Sequence, residues 1–125
     1  VLVAVTRPAT RRRAAGLSAA CVVVAAAVLG GRAWARMQRD DLRVTFLDVG
    51  QGDAAVVEGP GGFVAVIDGG GLPGSRLDPG ERVLLPFLRR AGIRRVDLVA
   101  LSHPHPDHMD GLRALLERVP VGRLW

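Results

Sequence analysis

The residues best suited to chemistry lie in one short stretch, His103-Pro104-His105-Pro106-Asp107-His108. This stretch contains all 3 histidines of the 125-residue chain, together with an aspartate. Neutral imidazole nitrogens and carboxylate oxygens are the ligands that zinc and similar divalent ions bind. A structural histidine or a helix cap explains one such residue, but not so many so close together, so the pattern predicts a metal site.

The segments on either side of the motif predict where it sits in the fold. Val96–Leu101 is a short apolar run rich in strand formers, which indicates a buried strand. The two prolines of the motif favour extended backbone, so its alternate side chains can point the same way. Apolar residues then recur at helical spacing, which predicts a helix from about Asp107 to Val119 with Asp107 as its N-cap. The motif thus lies at the carboxyl end of a strand, a common position for sites in α/β sheets.

The rest of the chain after residue 43 also alternates short apolar runs with turn signals. Predicted strands are Val44–Val49, Ala54–Glu58, Phe63–Asp68 and a last one beginning at Val121, with a helix at Glu81–Ala91 that stops at Gly92. Phe46, Phe63 and Phe87 are expected in the core. Strands followed by alternating helix and strand indicate an α/β domain.

The segment before residue 43 differs in character. Residues 14–31 carry no charge, and arginines lie on both sides of them. A membrane span, a signal peptide cleaved near Ala33-Trp34-Ala35, and a buried helix are the three interpretations of such a segment.

The basic composition does not predict a DNA-binding surface. The net charge is +5, but residues 1–43 hold eight Arg and two Asp, a net of +6, whereas residues 44–125 hold nine Arg and ten acidic residues, a net of −1. A local exception is the arginine group Arg89, Arg90, Arg94 and Arg95. Such a group is more typical of a solvated face or a helix C-terminus than of a phosphate-binding surface.

Three motifs together resemble a known family. Ser102–Gly111 resembles the metal-binding signature of the metallo-β-lactamase fold. With Phe46–Ala54 (FLDVGQGDA) and Val66–Gly70 (VIDGG), it resembles the C-terminal hydrolase domain of the ComEC/Rec2 DNA-internalisation proteins. The resemblance covers about Arg43 to Trp125. It implies an α/β fold that is the first half of a metallo-β-lactamase αββα sandwich, preceded by a transmembrane helix.

The resemblance also implies a domain division and a set of site residues. Residues 1–43 would form a membrane segment with its span at about 14–31, and residues 44–125 the truncated N-terminal part of the hydrolase domain. Two divalent ions are implied, zinc or else manganese. The implied ligands are His103 and His105 for one ion and Asp107 and His108 for the other, with Asp107 also acting on the attacking water and with Asp68 and Asp48 supporting the ligands. Many members of this branch carry Asp where this chain has His105.

The function implied is that of a membrane-tethered hydrolase domain in a DNA-uptake channel. Such a domain would cleave DNA phosphodiesters on the outer face of a bacterial cell membrane, within a multi-pass protein and alongside other competence components. The resemblance implies further metal ligands beyond Trp125, so we expect this chain to be incomplete and poorly active. The alternatives are a hydrolase of a small ester, thioester or phosphodiester, and an inactive truncated fragment.

Overall fold

A computed structural model describes residues 8–72, 74 and 77–125, with side chains from residue 13 onward. Part of the predicted membrane segment, residues 1–7, lies outside these. The described elements are α1 (Pro8–Met37), β1 (Arg43–Phe46), β2 (Ala55–Glu58), β3 (Val64–Ile67), α2 (Leu85–Ala91), β4 (Val96–Ala100), α3 (Pro106–Arg118) and β5 (Val121–Leu124). Each predicted strand and helix of the α/β domain is present, most of them shorter by a residue or more.

The five strands form one mixed sheet in the order β1-β2-β3-β4-β5. β1, β2 and β3 pair antiparallel, as two successive hairpins, and β3, β4 and β5 pair parallel. Helix α2 joins β3 to β4, and α3 joins β4 to β5. Because Ile67 lies opposite Ala100 in the parallel pair, the residues that follow β3 and β4 emerge side by side at one edge. This edge carries the histidine motif.

Helices α2 and α3 pack on one face of the sheet. Val56, Val66 and Val99 lie opposite one another on three neighbouring strands and are fully buried. They form the core with leucines of the helices, including Leu88 and Leu115. Burying each side chain of this size contributes about 1.5–3 kcal/mol. The motif is therefore mounted on a packed layer, not on an isolated loop.

The opposite face of the sheet is more open. Phe46, Ala55 and Ile67 lie opposite one another on that face, and Phe46 is 80% exposed and Ile67 41% exposed. Phe63, on the hairpin between β2 and β3, is 39% exposed. The prediction that Phe46 and Phe63 belong to the core is wrong, because the helices cover only the other face. Phe87, in α2, does pack against the core.

The turn before α2 departs from the predicted regular helix. Gly80–Leu84 forms a π-helical turn, and the N–H of Leu85 donates to the carbonyl of Gly80, five residues back. Pro86 follows, and it has no N–H with which to continue a regular α-helical ladder at that position. The predicted stop is confirmed, since Gly92 ends α2 in the left-handed conformation at φ 69°.

Helix α1 is longer than the predicted span. Within residues 13–37, an 18-residue window has a mean hydropathy of 2.1, and none of that window is buried against the domain. Among the described residues this is the one helix long and apolar enough to cross a membrane, by length and composition. The helix is therefore not buried against the described part of the chain, as the interpretation of a buried helix would require.

The end of α1 is attached to the domain by a buried ion pair. Arg36 lies 3.4 Å from the carboxylate of Glu58 in β2, and both side chains are largely buried. The Arg36 guanidinium also donates to the carbonyls of Ala91 and Gly92, the latter at 3.3 Å, at the end of α2. Arg39 adds a second cation 3.8 Å from Glu58. Since Glu58 is 7% exposed, these arginines supply the opposite charge that a buried carboxylate requires.

Candidate metal centre

The histidine motif spans the loop after β4 and the first turn of α3. The helix begins at Pro106, and its N-cap is His105 in extended conformation, with no side-chain capping bond. The predicted N-cap, Asp107, lies instead inside the first turn. The shift has a simple cause, since proline is favoured at the first helical position, where its missing N–H has no partner to lose. Asp107 there still faces the positive end of the helix dipole.

Asp68 is the centre of the hydrogen-bond network behind the motif. It follows β3, is 4% exposed and has a φ of 55°, the one positive φ among the described non-glycine residues. Aspartate is one of the few residues that tolerate this conformation. Its Oδ1 accepts the backbone N–H of Ser102 at 2.8 Å, and its Oδ2 accepts the Ser102 hydroxyl at 2.7 Å. The carboxylate therefore ties the end of β3 to the start of the motif.

The same carboxylate fixes the orientation of His108. Its Oδ2 lies 3.0 Å from Nδ1 of His108. A carboxylate can only accept, so the proton of a neutral His108 must be on Nδ1. The lone pair of Nε2 is then free for a ligand, which is the usual arrangement for a histidine that binds a metal through Nε2.

Ser102 extends this control to His103. Its hydroxyl donates to Asp68, so its oxygen has only lone pairs left for Nδ1 of His103, 2.9 Å away. Nδ1 of His103 must therefore be the donor, and its Nε2 is also free for a ligand. One buried carboxylate thus sets the tautomer of two histidines, one directly and one through a hydroxyl.

The network shifts the ionisation of both its ends. Burial acts to raise the pKa of Asp68, but the hydrogen bonds from Ser102 and His108 outweigh it and leave the pKa below its ordinary 3.8. The hydrogen bond to Asp68 raises the pKa of His108 above 6.5, against the opposing effect of desolvation. The negative charges of Asp68, Asp107 and Asp53 raise the pKa of His108 further. The carboxylates around His108 therefore favour its cationic form.

The three imidazole rings lie together, although they do not form a closed ligand cage. The ring centroid of His103 is 4.9 Å from that of His105 and 4.1 Å from that of His108. Asp107 Oδ2 lies 3.9 Å from Nε2 of His108. Within the described part of the chain, no three His, Cys, Asp or Glu side chains are arranged to hold a metal ion. The donor chemistry fits a divalent ion: two imidazoles with free Nε2 atoms, a third ring, and a neighbouring carboxylate.

The other candidate supporting residue, Asp48, lies apart from this network. It is exposed, and its Oδ1 accepts the N–H of Gly50 at 3.3 Å, which closes its own turn. Two residues that sequence reasoning did not single out do contribute to the site. Ser102 carries the hydrogen bond to His103, and Asp53 adds negative charge near His108. A hydroxyl directly before the first histidine, at a strand end, is the signal that could have identified Ser102.

Glycines allow the loops to pack directly against the start of α3. A Cβ at Gly52 would lie 1.6 Å from the Asp107 carbonyl oxygen, and one at Gly71 would lie 1.9 Å from that of Pro106. A Cβ at Gly69 would lie 2.5 Å from the backbone nitrogen of Leu112, and the N–H of Gly69 donates to the His108 carbonyl at 2.7 Å. Any side chain at these positions would push the loops away from the helix. The glycine-rich segments thus act as close backbone supports for the motif, not as a phosphate loop.

Comparison with known proteins agrees with this geometry. Residues 47–125 match the Metallo-beta-lactamase superfamily. The chain belongs to this superfamily. Its members usually bind divalent metals, often zinc, and the assignment supports a metal-dependent hydrolase domain. The predicted fold class is confirmed, with an α/β sheet preceded by an apolar helix.

Two curated relatives carry the resemblance further. The chain is similar to ComE operon protein 3 of Bacillus subtilis (strain 168), at 36% identity over 92 residues, covering 65% of this chain and 12% of that protein. It is also similar to the uncharacterized protein YcaI of Escherichia coli (strain K12), at 33% identity over 92 residues, covering 74% of this chain and 12% of that protein. The chain therefore spans about an eighth of the length of these relatives. The first similarity confirms the resemblance found in the sequence.

Proposed function

We propose that this chain carries the first metal-binding half of a membrane-tethered hydrolase that cleaves DNA phosphodiesters. The observation that carries the proposal is the network around Asp68, which leaves Nε2 of both His103 and His108 free for a ligand. Nδ1 of each ring is held by a protein partner, so each ring has a fixed orientation and a fixed tautomer with Nε2 directed away from that partner. Here the free nitrogens belong to two rings whose centroids are 4.1 Å apart.

Each motif residue has a distinct role in this proposal. His103 and His105 hold one divalent ion, and Asp107 and His108 hold the other, with zinc or manganese as the ion. The bound ions would supply an activated water at neutral pH and neutralise the charge that develops on a phosphoryl group. Asp107 accepts the proton of the attacking water or orients that water. Further ligands come from the remainder of the parent protein.

The membrane location rests on α1. We place its apolar stretch across the bacterial cell membrane and the hydrolase domain on the outer face, as part of a multi-pass protein. Residues 13–37 at 1.5 Å per residue span about 36 Å, enough for a hydrocarbon core of about 30 Å. A domain at the membrane surface would meet DNA before it crosses the bilayer, together with other competence components.

The choice of DNA as substrate comes from family resemblance and not from the charge of the domain. Residues 44–125 carry a net charge of −1, so bulk attraction does not select a polyanion. The proposal of DNA follows from the resemblance to the DNA-internalisation family and from the similarity to ComE operon protein 3. Metal ions at the site would supply the positive charge that a phosphodiester requires.

The first test measures metal content and cleavage in the parent protein that contains this chain. About two metals per chain, with metal-dependent cleavage of single- or double-stranded DNA, would support the proposal. Cleavage should be lost in His103→Ala and in Asp107→Asn. Arg118→Gln, a substitution on the exposed end of α3 at a side chain that is 55% exposed, is the matched control and should retain activity.

Other outcomes would test the substrate and the metal centre separately. Metal binding without DNA cleavage, but with hydrolysis of a small phosphodiester or thioester, would assign the domain to small-molecule chemistry. Absence of metal from the parent protein at saturating zinc and manganese would refute the metal centre itself. Unchanged cleavage in both His103→Ala and Asp107→Asn would refute the assignment of the activity to this metal centre.

A further inference from the structure

Two arginine groups that are far apart in the sequence meet at the junction between α1 and the domain. One group lies at the end of α1 and the start of β1, and the other follows α2. The grooves there have volumes of about 630 and 370 Å³ and share Arg32 and Arg36. We call this surface the junction groove and define it by its arginines, which are Arg32, Arg36, Arg39, Arg43, Arg90, Arg94 and Arg95.

Most of the positive charge in the junction groove is not neutralised. Arg36 and Arg39 are paired with Glu58, and Arg95 lies 3.5 Å from Asp97. The other four arginines are exposed and form no ion pair with any described residue. The sequence alone favours a solvated face for Arg90 and Arg94, but the fold adds Arg32 and Arg43 from a distant segment to the same surface. Like charges repel one another, so an anionic ligand would be attracted to this surface and would relieve the repulsion.

The groove is also amphipathic along the axis of α1. Its larger part is lined by Ala26 and Leu29 earlier in α1, and by Arg32 and Arg36 nearer the end of α1 together with Arg94 and Arg95. Ala26 lies six residues before Arg32, about 9 Å along the helix axis. If α1 spans the membrane as proposed, the apolar end lies at the level of the acyl chains and the arginines at the level of the phosphates.

We propose that the junction groove binds the headgroup phosphate of an anionic phospholipid, with the acyl chain along the apolar flank of α1. Arginine is well suited to this role because its planar guanidinium binds phosphate oxygens in pairs. DNA is the less suitable polyanion, because the apolar wall lies where hydrated nucleic acid would not reach. Bound lipid would add contacts on both sides of the junction that Arg36 and Glu58 already connect.

The test uses native mass spectrometry of the whole chain in detergent, with equal amounts of phosphatidylglycerol and phosphatidylcholine. We expect retention of phosphatidylglycerol over phosphatidylcholine. Each arginine near a membrane surface contributes about fivefold, so Arg90→Gln with Arg94→Gln should weaken retention roughly 25-fold. Arg90→Lys with Arg94→Lys should keep most of it, because the charge remains.

A matched double variant separates the groove from general charge. Arg113 and Arg123 are also exposed but lie on α3 and β5, outside the junction groove. Arg113→Gln with Arg123→Gln changes the charge equally and should leave lipid retention unaltered. An equal loss in this control, or equal retention of both lipids by the unaltered chain, would overturn the proposal. So would displacement of the lipid by a short single-stranded oligonucleotide that binds only when Arg90 and Arg94 are intact.

The proposal rests on the membrane span under the proposed function, and a second measurement separates the two. Alkaline extraction of membranes containing the chain tests the span alone. A chain released by alkali refutes the span, and the lipid proposal with it. A chain that resists alkali but shows no preference for phosphatidylglycerol refutes the junction groove and leaves the span intact.

Discussion

Replacing Asp68 with asparagine should reverse the tautomers of both histidines that it controls. Asparagine has nearly the same size and also tolerates the positive φ of 55°, so the backbone can stay in place. The backbone N–H of Ser102, 2.8 Å from Oδ1, requires an oxygen at that position. The new amide group must therefore replace Oδ2, the atom that accepts from both Ser102 and His108.

An NH₂ group at that position donates where the carboxylate accepted. It would donate to Nδ1 of His108, which places the proton of a neutral His108 on Nε2. It would also donate to the Ser102 hydroxyl, whose own proton would then turn to Nδ1 of His103. Both Nε2 atoms would carry protons and could not bind a metal without breaking these bonds.

The expected loss of metal affinity is large because two ligands depend on one carboxylate. Removing the partner of a single ligating histidine typically costs about 10–100-fold in affinity. Taking the lower figure for each of His103 and His108 gives a loss of about 100-fold, or roughly 2.7 kcal/mol. Competition with a chromophoric zinc chelator measures this value for the whole chain.

Nitrogen-15 NMR of the histidine rings tests the physical cause separately from the affinity. The metal-free chain should show His103 and His108 protonated on Nδ1, and Asp68→Asn should show both protonated on Nε2. Asp48→Asn is the matched control, since its hydrogen bond stays within its own turn, and it should change neither ring. Unchanged tautomers in Asp68→Asn would refute the reasoning, even if metal affinity fell.

Three further predictions concern stability and protonation. Gly52→Ala should lower the free energy of unfolding by about 2 kcal/mol or more, since its Cβ would meet the Asp107 carbonyl oxygen at 1.6 Å. In the metal-free chain, NMR titration should place the pKa of His108 above 6.5. The contribution of protonated His108 to the free energy of unfolding is then complete below pH 6.5 and is lost as the pH rises through the raised pKa. Arg36→Gln should cost about 2 kcal/mol in thermal or chemical unfolding, since Glu58 is 7% exposed and would keep only the more distant Arg39.

Each of these has its own control. Gly61→Ala also places a side chain at positive φ, but nothing lies within 4 Å of it, so the substitution should cost only about 1 kcal/mol. An equal cost for Gly52→Ala would show that close packing at Gly52 does not contribute. Asp68→Asn should bring the pKa of His108 down, and a titration unaffected by it would exclude Asp68 as the cause. Arg118→Gln removes a more exposed pair with Glu81 and should cost at most about 1 kcal/mol, so a loss equal to that of Arg36→Gln would show that burial is not decisive.

The elements that hold the motif could be predicted because their signals are local. Val96–Leu101 is an apolar run next to a change to helical spacing, and β4 and α3 fall within a residue or two of the predicted bounds. Gly92 stops α2 as predicted, through its own backbone conformation. The N-cap was misplaced because two local preferences compete there. Proline at the first helical position prevailed over aspartate as a cap.

The contacts behind the motif could not be predicted in the same way, since they join distant segments. Asp68 and Ser102 are 34 residues apart, and only the parallel pairing of β3 with β4 brings them together. Arg36 meets the end of α2 across more than 50 residues, although its sequence neighbourhood suggests only a membrane flank. Phe46 is an aromatic residue of the kind expected in a core, yet it is exposed. Whether a face of the sheet is covered depends on the whole fold, which the residue type does not reveal.

The glycine contacts at the start of α3 have a consequence for engineering. Because Gly52, Gly69 and Gly71 meet the helix backbone to backbone, the contacts between these loops and α3 do not depend on the exposed side chains of the motif. A library that aims to alter substrate preference can therefore vary exposed side chains around the loop, such as Met109, without loosening these supports. The same library should leave the three glycines unchanged, since there even the smallest side chain displaces main chain.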